Sequence, residues 1–412
     1  MMPRVEIAIV GAGVIGLTIA LRLAQSGHEV VVIDPGDPGA GASYGNAGTI
    51  ADYAVMPVGT PDVLRHLPGL LFDATSPLAI RRAAILSLAP WLLRFLRQSL
   101  PGPAARNARA IAALVADAAA RWQDLAGEVG GAALLQDRGA LYLYDSAATF
   151  AAAGRDMGFR RSLGVQVDLV DRAGLTALEP GLPPAFAGGA FFPKARFLTD
   201  PGQMVALLAA AARAAGVVFQ RWPVTGLQRD DRRVVLSGSG QRIIARQVVI
   251  AAGAYSRPLA VMAGDRVPLE TERGYHVEYD MAVPRLTRPV CPTRQGFYLC
   301  PMAGRLRVAG TVELGGLSPR PTLHRIAKLV EGTRSIFPDL PEPSRTWLGF
   351  RPSLPDSLPV IGPSRGGAEV LYAFGHGHIG LTLAPITAAI IAGLVAGRTP
   401  PVDLAAVAAT RF

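Results

Sequence analysis

Chemistry-bearing residues of this 412-residue chain cluster in a few short stretches. In AFGHGHIGLTLAP, residues 373–385, His376 and His378 stand two apart among glycines, just ahead of a long apolar run. Imidazoles at that spacing can share a metal, and a Gly-rich turn before an apolar run can enter a membrane or border a cofactor pocket. No further ligand set accompanies the pair, so no metal is expected. GFRPS carries Arg351, and TERGYH carries Arg273, Tyr275 and His276. A guanidinium fork holds a carboxylate bidentately, and a phenol such as Tyr298 of GFYLCP can donate to the same group. His376 and His276 are candidate proton acceptors. Tyr275 and His276 alternate on a strand-like stretch, so only one of them can face a given pocket.

These residues need elements to position them. VEIAIVGAGVIGLTIALRLAQSGHEVVVID, residues 5–34, reads as strand, glycine turn, helix and strand. Gly11 permits the tight turn, Gly13 lets backbone approach a pyrophosphate, and Gly16 lets helix and strand pack closely. The helix start offers free N–H groups and a positive dipole end to phosphates, while Asp34 would accept hydrogen bonds from a ribose. The unit predicts an ADP-containing dinucleotide without separating NAD from FAD.

PGDPGAGASYGNAGTIADY then reads as a ligand-touching loop, and residues 60–130 as alanine-rich helices broken at Pro68, Pro77, Pro90, Pro101 and Pro103. GALYLYD reads as a strand, DPGQMVALLAAAARAAG as a helix, and RRVVLSGSGQRIIARQVVI as a hairpin running into an apolar strand. Alternating strands dominate residues 267–312. A strand, a Gly-rich turn and a helix recur at the start, near Ala251 and near Gly375. One nucleotide-binding domain assembled from separated segments is therefore expected, with a second, sheet-containing domain between them.

The net charge is +10, almost all from arginine, because Lys194 and Lys328 are the only lysines. The arginines are spread along the chain without stacking partners, so nucleic acid is not an expected partner. Cys291 and Cys300 form neither a zinc motif nor a disulfide framework, and a reduced cytoplasmic setting fits them. No secretory leader is visible, since Glu6 and the glycines interrupt the expected pattern. Residues 7–21 are too short to span a membrane, and residues 374–397 read as a buried core helix.

Five motifs taken together, GAGVIG…VVVID, GASYGNAGTI, VVIAAGAYS, GFRPSLPDSLPVIG and GHGHIGLTLAP, resemble the FAD-dependent D-amino-acid oxidase superfamily. The likeness is greatest to the bacterial D-amino-acid dehydrogenase branch (small-subunit type), and spans essentially the whole chain. It implies an α/β fold: a glutathione-reductase-type FAD-binding Rossmann domain, with a second α+β substrate domain built on a mixed sheet. The expected boundaries are 1–60, 195–262 and 340–412 for FAD binding, and 61–194 and 263–339 for substrate.

Carried over by motif, Gly11, Gly13, Val14, Ile15 and Gly16 would hold the pyrophosphate and Asp34 the adenosine ribose. Ser43, Asn46, Ala47 and Gly48 would lie against pyrophosphate and flavin, Val224 would meet the adenine through its backbone, and Ala252 and Gly253 would line the groove. Gly377, His378, Ile379, Gly380, Leu381 and Thr382 would face the flavin pyrimidine edge, where a helix N-terminus stabilises negative charge. Arg351 matches the carboxylate clamp, with Arg273 and Tyr298 as expected second contacts; Tyr53 lies near where some relatives place a substrate tyrosine. No cysteine accompanies GFRPSLPD, so FAD is expected to be non-covalent.

The activity the resemblance implies is oxidative deamination of a D-amino acid by hydride transfer from Cα to flavin N5, with D-proline or its hydroxylated form as cyclic candidates. Alternatives are an oxygen-using oxidase of glycine or secondary amines, and a non-catalytic flavin-binding partner protein. The expected electron acceptor is a quinone or another carrier. Residues 62–100, with Arg81, Arg82, Arg94 and Arg97 and with Trp91, Leu92, Phe95 and Leu96 on one face, would give peripheral contact with the inner face of a membrane.

Overall fold

A computed structural model of the chain describes residues 3–65, 78–81, 84–230 and 232–412. The N-terminal apolar run forms the strand Arg4–Val10, followed by the helix Val14–Gln25 and the strand Val30–Ile33. The two strands are parallel, with Ile7 opposite Val30 and Val10 opposite Ile33. Val218–Gln220 extends the sheet beyond Val30–Ile33; Gln241–Ile250 and then Gly367–Phe374 extend it on the other side, all parallel. Val360–Ser364 runs antiparallel to Gly367–Phe374. Gly226–Asp230 and Arg233–Gly238 form a hairpin on the first half of Gln241–Ile250.

A parallel sheet covered on both faces buries alternate residues in two cores. Ile7, Ile9, Val30, Val32, Val249 and Leu371 pack on one side with the helices Val14–Gln25, Pro201–Ala214 and Gly380–Val395. Ala8, Val10, Val31, Ile33, Val248 and Ile250 pack on the other, with Leu259 and Ala260 of the helix Ser256–Met262.

The second sheet has nine strands and is mixed. From one edge it runs Arg345–Ser353, Glu270–Asp280, Arg305–Leu314, Phe297–Met302, Val290–Pro292, Ala140–Tyr144, Gly188–Phe192 and Asp168–Asp171, with Leu78–Ile80 beside Arg305–Leu314. The edge strand Arg345–Ser353 falls in the stretch 340–412 that the sequence assigned to FAD binding. It joins the second sheet because it pairs with Glu270–Asp280 from Ser353 opposite Glu270 to Arg345 opposite Glu278. A small sheet of Thr49–Ile50, Arg196–Leu198 and Leu135–Gln136 lies apart from both.

The alanine-rich region contains the helices Ile85–Gln98, Pro101–Val115 and Ala118–Glu128. Pro90 does not break its helix, contrary to expectation: it sits on an exposed flank where solvent can satisfy the freed carbonyl of Leu86. Pro101 and Pro103 lie in a first turn, where the missing N–H has no cost, so they start a helix instead of ending one. Pro68, Pro77 and Arg82 lie outside the described residues. The apolar run near the C-terminus is the strand ending at Phe374 and the buried helix Gly380–Val395; among the described residues no helix is long and apolar enough to cross a membrane.

Candidate functional site

The parallel strands of the first sheet end on one rim, at Val10, Ile33, Gln220, Ile250 and Phe374, the side on which open α/β sheets bind ligands. Gly11 leaves Val10 at φ 112°, and a Cβ there would stand 2.4 Å from the Ala251 carbonyl oxygen. A Cβ on Gly16 would stand 1.9 Å from the Gly11 oxygen, so neither glycine tolerates a side chain. Gly13 differs: its nearest neighbour would be the Ser43 hydroxyl at 3.2 Å, on the open side of the turn. No side chain at Gly13 caps the helix, and only from the neighbouring loop does Ser43 Oγ accept from the Val14 N–H, at 2.9 Å. The N–H groups of Ile15 and Gly16 thus lie in a first turn with a positive dipole end.

Asp34 ends the second strand and accepts from the N–H groups of Ala12 and Gly36, one per oxygen at 2.8 Å each. A carboxylate has further lone pairs for ribose hydroxyls. Val224 lies in the turn after Val218–Gln220, and Ala252 and Gly253 follow Ile250. Asn46 spends its side chain on the loop itself: it donates to the Ser43 carbonyl and accepts from the Gly48 N–H, each at 2.7 Å. Backbone of Ala47 and Gly48 is thereby held in place. A backbone cradle that a Cβ at Gly13 would fill, an uncapped helix start and an acid at the strand tip together fit the ADP half of FAD.

A second uncapped helix start belongs to Gly380–Val395. Gly377, at φ 54°, donates to the Pro352 carbonyl at 2.8 Å and turns the chain into the helix. Thr382 Oγ1 accepts from the Ala51 N–H at 3.0 Å, and Trp122 Nε1 donates to the Leu381 carbonyl at 2.9 Å, so the first turn is fixed from two sides. Ile379 is buried at the N-cap position.

The two histidines of this motif part company. His376 is 3% exposed, its Nε2 lies 3.0 Å from Thr387 Oγ1 within the same helix region, and burial pushes its pKa down to about 3. It braces the turn through Thr387. His378 remains accessible, and the Arg351 charge nearby works against its protonation. Among the described residues no three metal-ligating side chains come together.

Arg351 occupies the edge strand of the second sheet, opposite Glu272. Its guanidinium fills the space above Gly274, where a Cβ would stand 2.5 Å from Cζ. Burial lowers its pKa, and Glu272 opposes that shift. Among the described residues it makes no hydrogen bond and no closed ion pair, so a half-buried guanidinium fork stands unspent.

The same face continues along the pleat: His276 lies opposite both Trp347 and Ala309, and Tyr298 lies opposite Ala309. His276 Nδ1 lies 2.9 Å from the Gly45 carbonyl, and its ring stacks on Trp347 with centroids 5.1 Å apart. Burial, and then Arg307, lowers its pKa to about 4. It ties the Ser43–Gly48 loop to the second sheet.

Arg273 does not join Arg351. Strand alternation sends it to the opposite face, 1% exposed, where its Nε lies 3.3 Å from Glu313 Oε2 and its Nη2 donates to the Arg320 carbonyl. Tyr275 follows it and donates to Glu313 Oε2 at 2.9 Å. Of Tyr275 and His276, only His276 faces the loop.

Tyr298 meets two residues that sequence reasoning left out or left unplaced. Its hydroxyl lies 3.3 Å from that of Tyr53 and 3.3 Å from that of Tyr142. Tyr53 stacks on Phe192 at 4.2 Å, and Arg160 donates to the Tyr53 carbonyl at 2.7 Å. Burial raises all three phenol pKa values, so they act as neutral hydrogen-bonding groups. Tyr142 and Glu272 were legible only through alternation, which puts Glu272 in phase with His276. Both cysteines are buried free thiols; burial pushes Cys291 up to about 12 and Cys300 higher still, which keeps them protonated.

Residues 6–394 match the family described as FAD dependent oxidoreductase (DAO). A "D-amino-acid oxidase" of Bradyrhizobium diazoefficiens is 36% identical, with 99% of each chain covered. A "D-amino acid dehydrogenase" of Dechloromonas aromatica is 32% identical over 96% of this chain and 98% of its own. Among solved structures, the glycine oxidase of Geobacillus kaustophilus superposes with a TM-score of 0.77 at 26% identity, covering 100% of this chain and 99% of its own.

Proposed function

We propose, for a chain that belongs to the DAO family of FAD-dependent oxidoreductases, that it oxidises D-amino acids at Cα to imino acids, which hydrolyse to 2-oxo acids and ammonia. The observation that carries this reading is Arg351, a half-buried guanidinium seated over Gly274 that makes no hydrogen bond among the described residues and faces the Glu272 charge across the strand pair. A partly desolvated guanidinium whose donors make no hydrogen bond gains from an anion that fills its fork. An α-carboxylate fits its fork bidentately.

The residues then divide the work. Gly11, Gly13, Val14, Ile15 and Gly16 hold the FAD pyrophosphate through backbone, Asp34 holds the ribose, and Val224, Ala252 and Gly253 border the adenosine half. Ser43, Asn46, Ala47 and Gly48 support the other side, and protonated thiols support a non-covalent complex. FAD, when bound, supplies the acceptor for the hydride that leaves Cα. Arg351 fixes the carboxylate, and the Tyr298 hydroxyl, aligned by Tyr53 and Tyr142, steadies the same end of the substrate. The first turn of Gly380–Val395, with Gly377, His378, Ile379, Gly380, Leu381 and Thr382, presents backbone N–H groups where negative charge develops.

A second reading, an oxidase of glycine or secondary amines, is favoured by the likeness to a glycine oxidase. Turnover with oxygen and with an artificial acceptor, measured side by side on D-alanine, D-proline and glycine, tests both. Preferential turnover of glycine with peroxide release contradicts the first reading.

The electron acceptor is proposed to be a membrane quinone, reached from the helix Ile85–Gln98. Leu88, Trp91 and Phe95 pack inward, while Leu86 and Leu93, seven residues apart, are 91% and 69% exposed. Arg94 and Arg97 are exposed on the same helix. An exposed apolar stripe bordered by cations fits an anionic lipid surface.

A further inference from the structure

Glu272 lies on the face of the second sheet that carries Arg351 and His276, and the mechanism above gives it no task. It is 4% exposed and stands directly across from Arg351, so the two side chains share one face. Ser353, on the facing strand, favours the ionised form of Glu272. Burial raises its pKa, and the Arg351 charge holds that rise back.

The other charged groups nearby are engaged elsewhere or neutral. Glu270, in phase on the same strand, accepts from the Thr271 N–H at 2.9 Å. Glu313, on the strand Arg305–Leu314, pairs with Arg273 on the far face. His378, on the glycine turn, is exposed, and the Arg351 charge favours its neutral form. Arg351 and Glu272 are thus left to balance one another across a gap.

A carboxylate arriving at Arg351 brings a second negative charge to the same cation. Two carboxylates that share one site in a low-dielectric interior do not both stay ionised. We propose that Glu272 takes up a proton when a carboxylate docks on Arg351, so that the clamp closes with no net change of charge in the cleft. The proposal rests on the reading of Arg351 as the carboxylate clamp. With a zwitterionic amino acid the balance can be met from the ligand: an N–H bond of the ammonium breaks, an O–H bond forms on Glu272, and the amine is left neutral with its lone pair free. Because the complex holds one more proton than the free protein, carboxylate affinity must fall as pH rises.

The test uses the FAD-loaded protein and pyruvate, which carries a carboxylate and no amine. Calorimetric titration in two buffers of different ionisation enthalpy counts the protons taken up. Wild type should take up about one proton per pyruvate bound. Glu272→Gln should take up none, and should bind pyruvate roughly tenfold more tightly than wild type under alkaline conditions. Glu272→Asp, which keeps an ionisable group, should keep the uptake. No uptake in wild type, or undiminished uptake in Glu272→Gln, overturns the proposal. Arg351→Gln separates the two layers: it should lose pyruvate binding, and unchanged binding would show that the clamp reading itself has failed.

Discussion

Arg351 and Arg273 share a residue type and a neighbourhood, yet they take opposite faces of the sheet, and only Arg273 has its donors engaged there. Arg351→Ala removes one partner of a buried, charge-assisted contact, a loss on the order of 2–5 kcal/mol. The expected result is a kcat/KM lowered about thirtyfold or more with FAD content unchanged, whereas Arg273→Ala should act on stability and leave substrate affinity near wild type. Steady-state kinetics beside thermal melts checks both. The histidines carry a pH prediction. An imidazole lowered to about 3 (His376) or about 4 (His276) binds fewer protons folded than unfolded. Stability should therefore fall as pH drops from the ordinary histidine range towards those values, and melts of His376→Gln should show a shallower acid slope. An unchanged slope would refute that role. The sequence marked all of these residues as reactive types. It marked neither the sheet face each occupies nor the partners already taken, because both follow from cross-strand register.

Single elements were the most legible level. The first strand, glycine turn, helix and second strand appear where the pattern put them, since each is set by local periodicity and turn chemistry. The three glycines predict different outcomes. Gly16→Ala forces a Cβ to 1.9 Å from a backbone oxygen and should lower the yield of folded protein. Gly13→Ala meets only the Ser43 hydroxyl at 3.2 Å, so the protein without cofactor should melt near wild type while FAD dissociates more readily. Fluorescence titration of FAD together with melts separates the two, and equal effects on both readouts would contradict the assigned roles. What stayed illegible was non-local. Pro90 survives inside a helix because of its exposure, and Arg345–Ser353 belongs to the second sheet because Glu270–Asp280 offers it a partner, facts absent from either local sequence.

At the scale of the whole molecule, the second sheet is tied to the Ser43–Gly48 loop by His276 and to the turn before Gly380–Val395 by the Gly377 N–H, which donates to the Pro352 carbonyl one residue from Arg351. The motifs implied that architecture through their order along the chain, but not the packing that closes it. The exposed stripe on Ile85–Gln98 carries its own prediction. Leu86→Ser with Leu93→Ser should reduce cosedimentation with anionic vesicles without changing turnover of an artificial acceptor, and undiminished cosedimentation would remove that helix from the account. The central claim is tested most directly by anaerobic titration of the flavin absorbance band with matched D- and L-amino acids. The account predicts bleaching by D-enantiomers, lost in Arg351→Ala. Bleaching by L-enantiomers alone, or by neither, would contradict it.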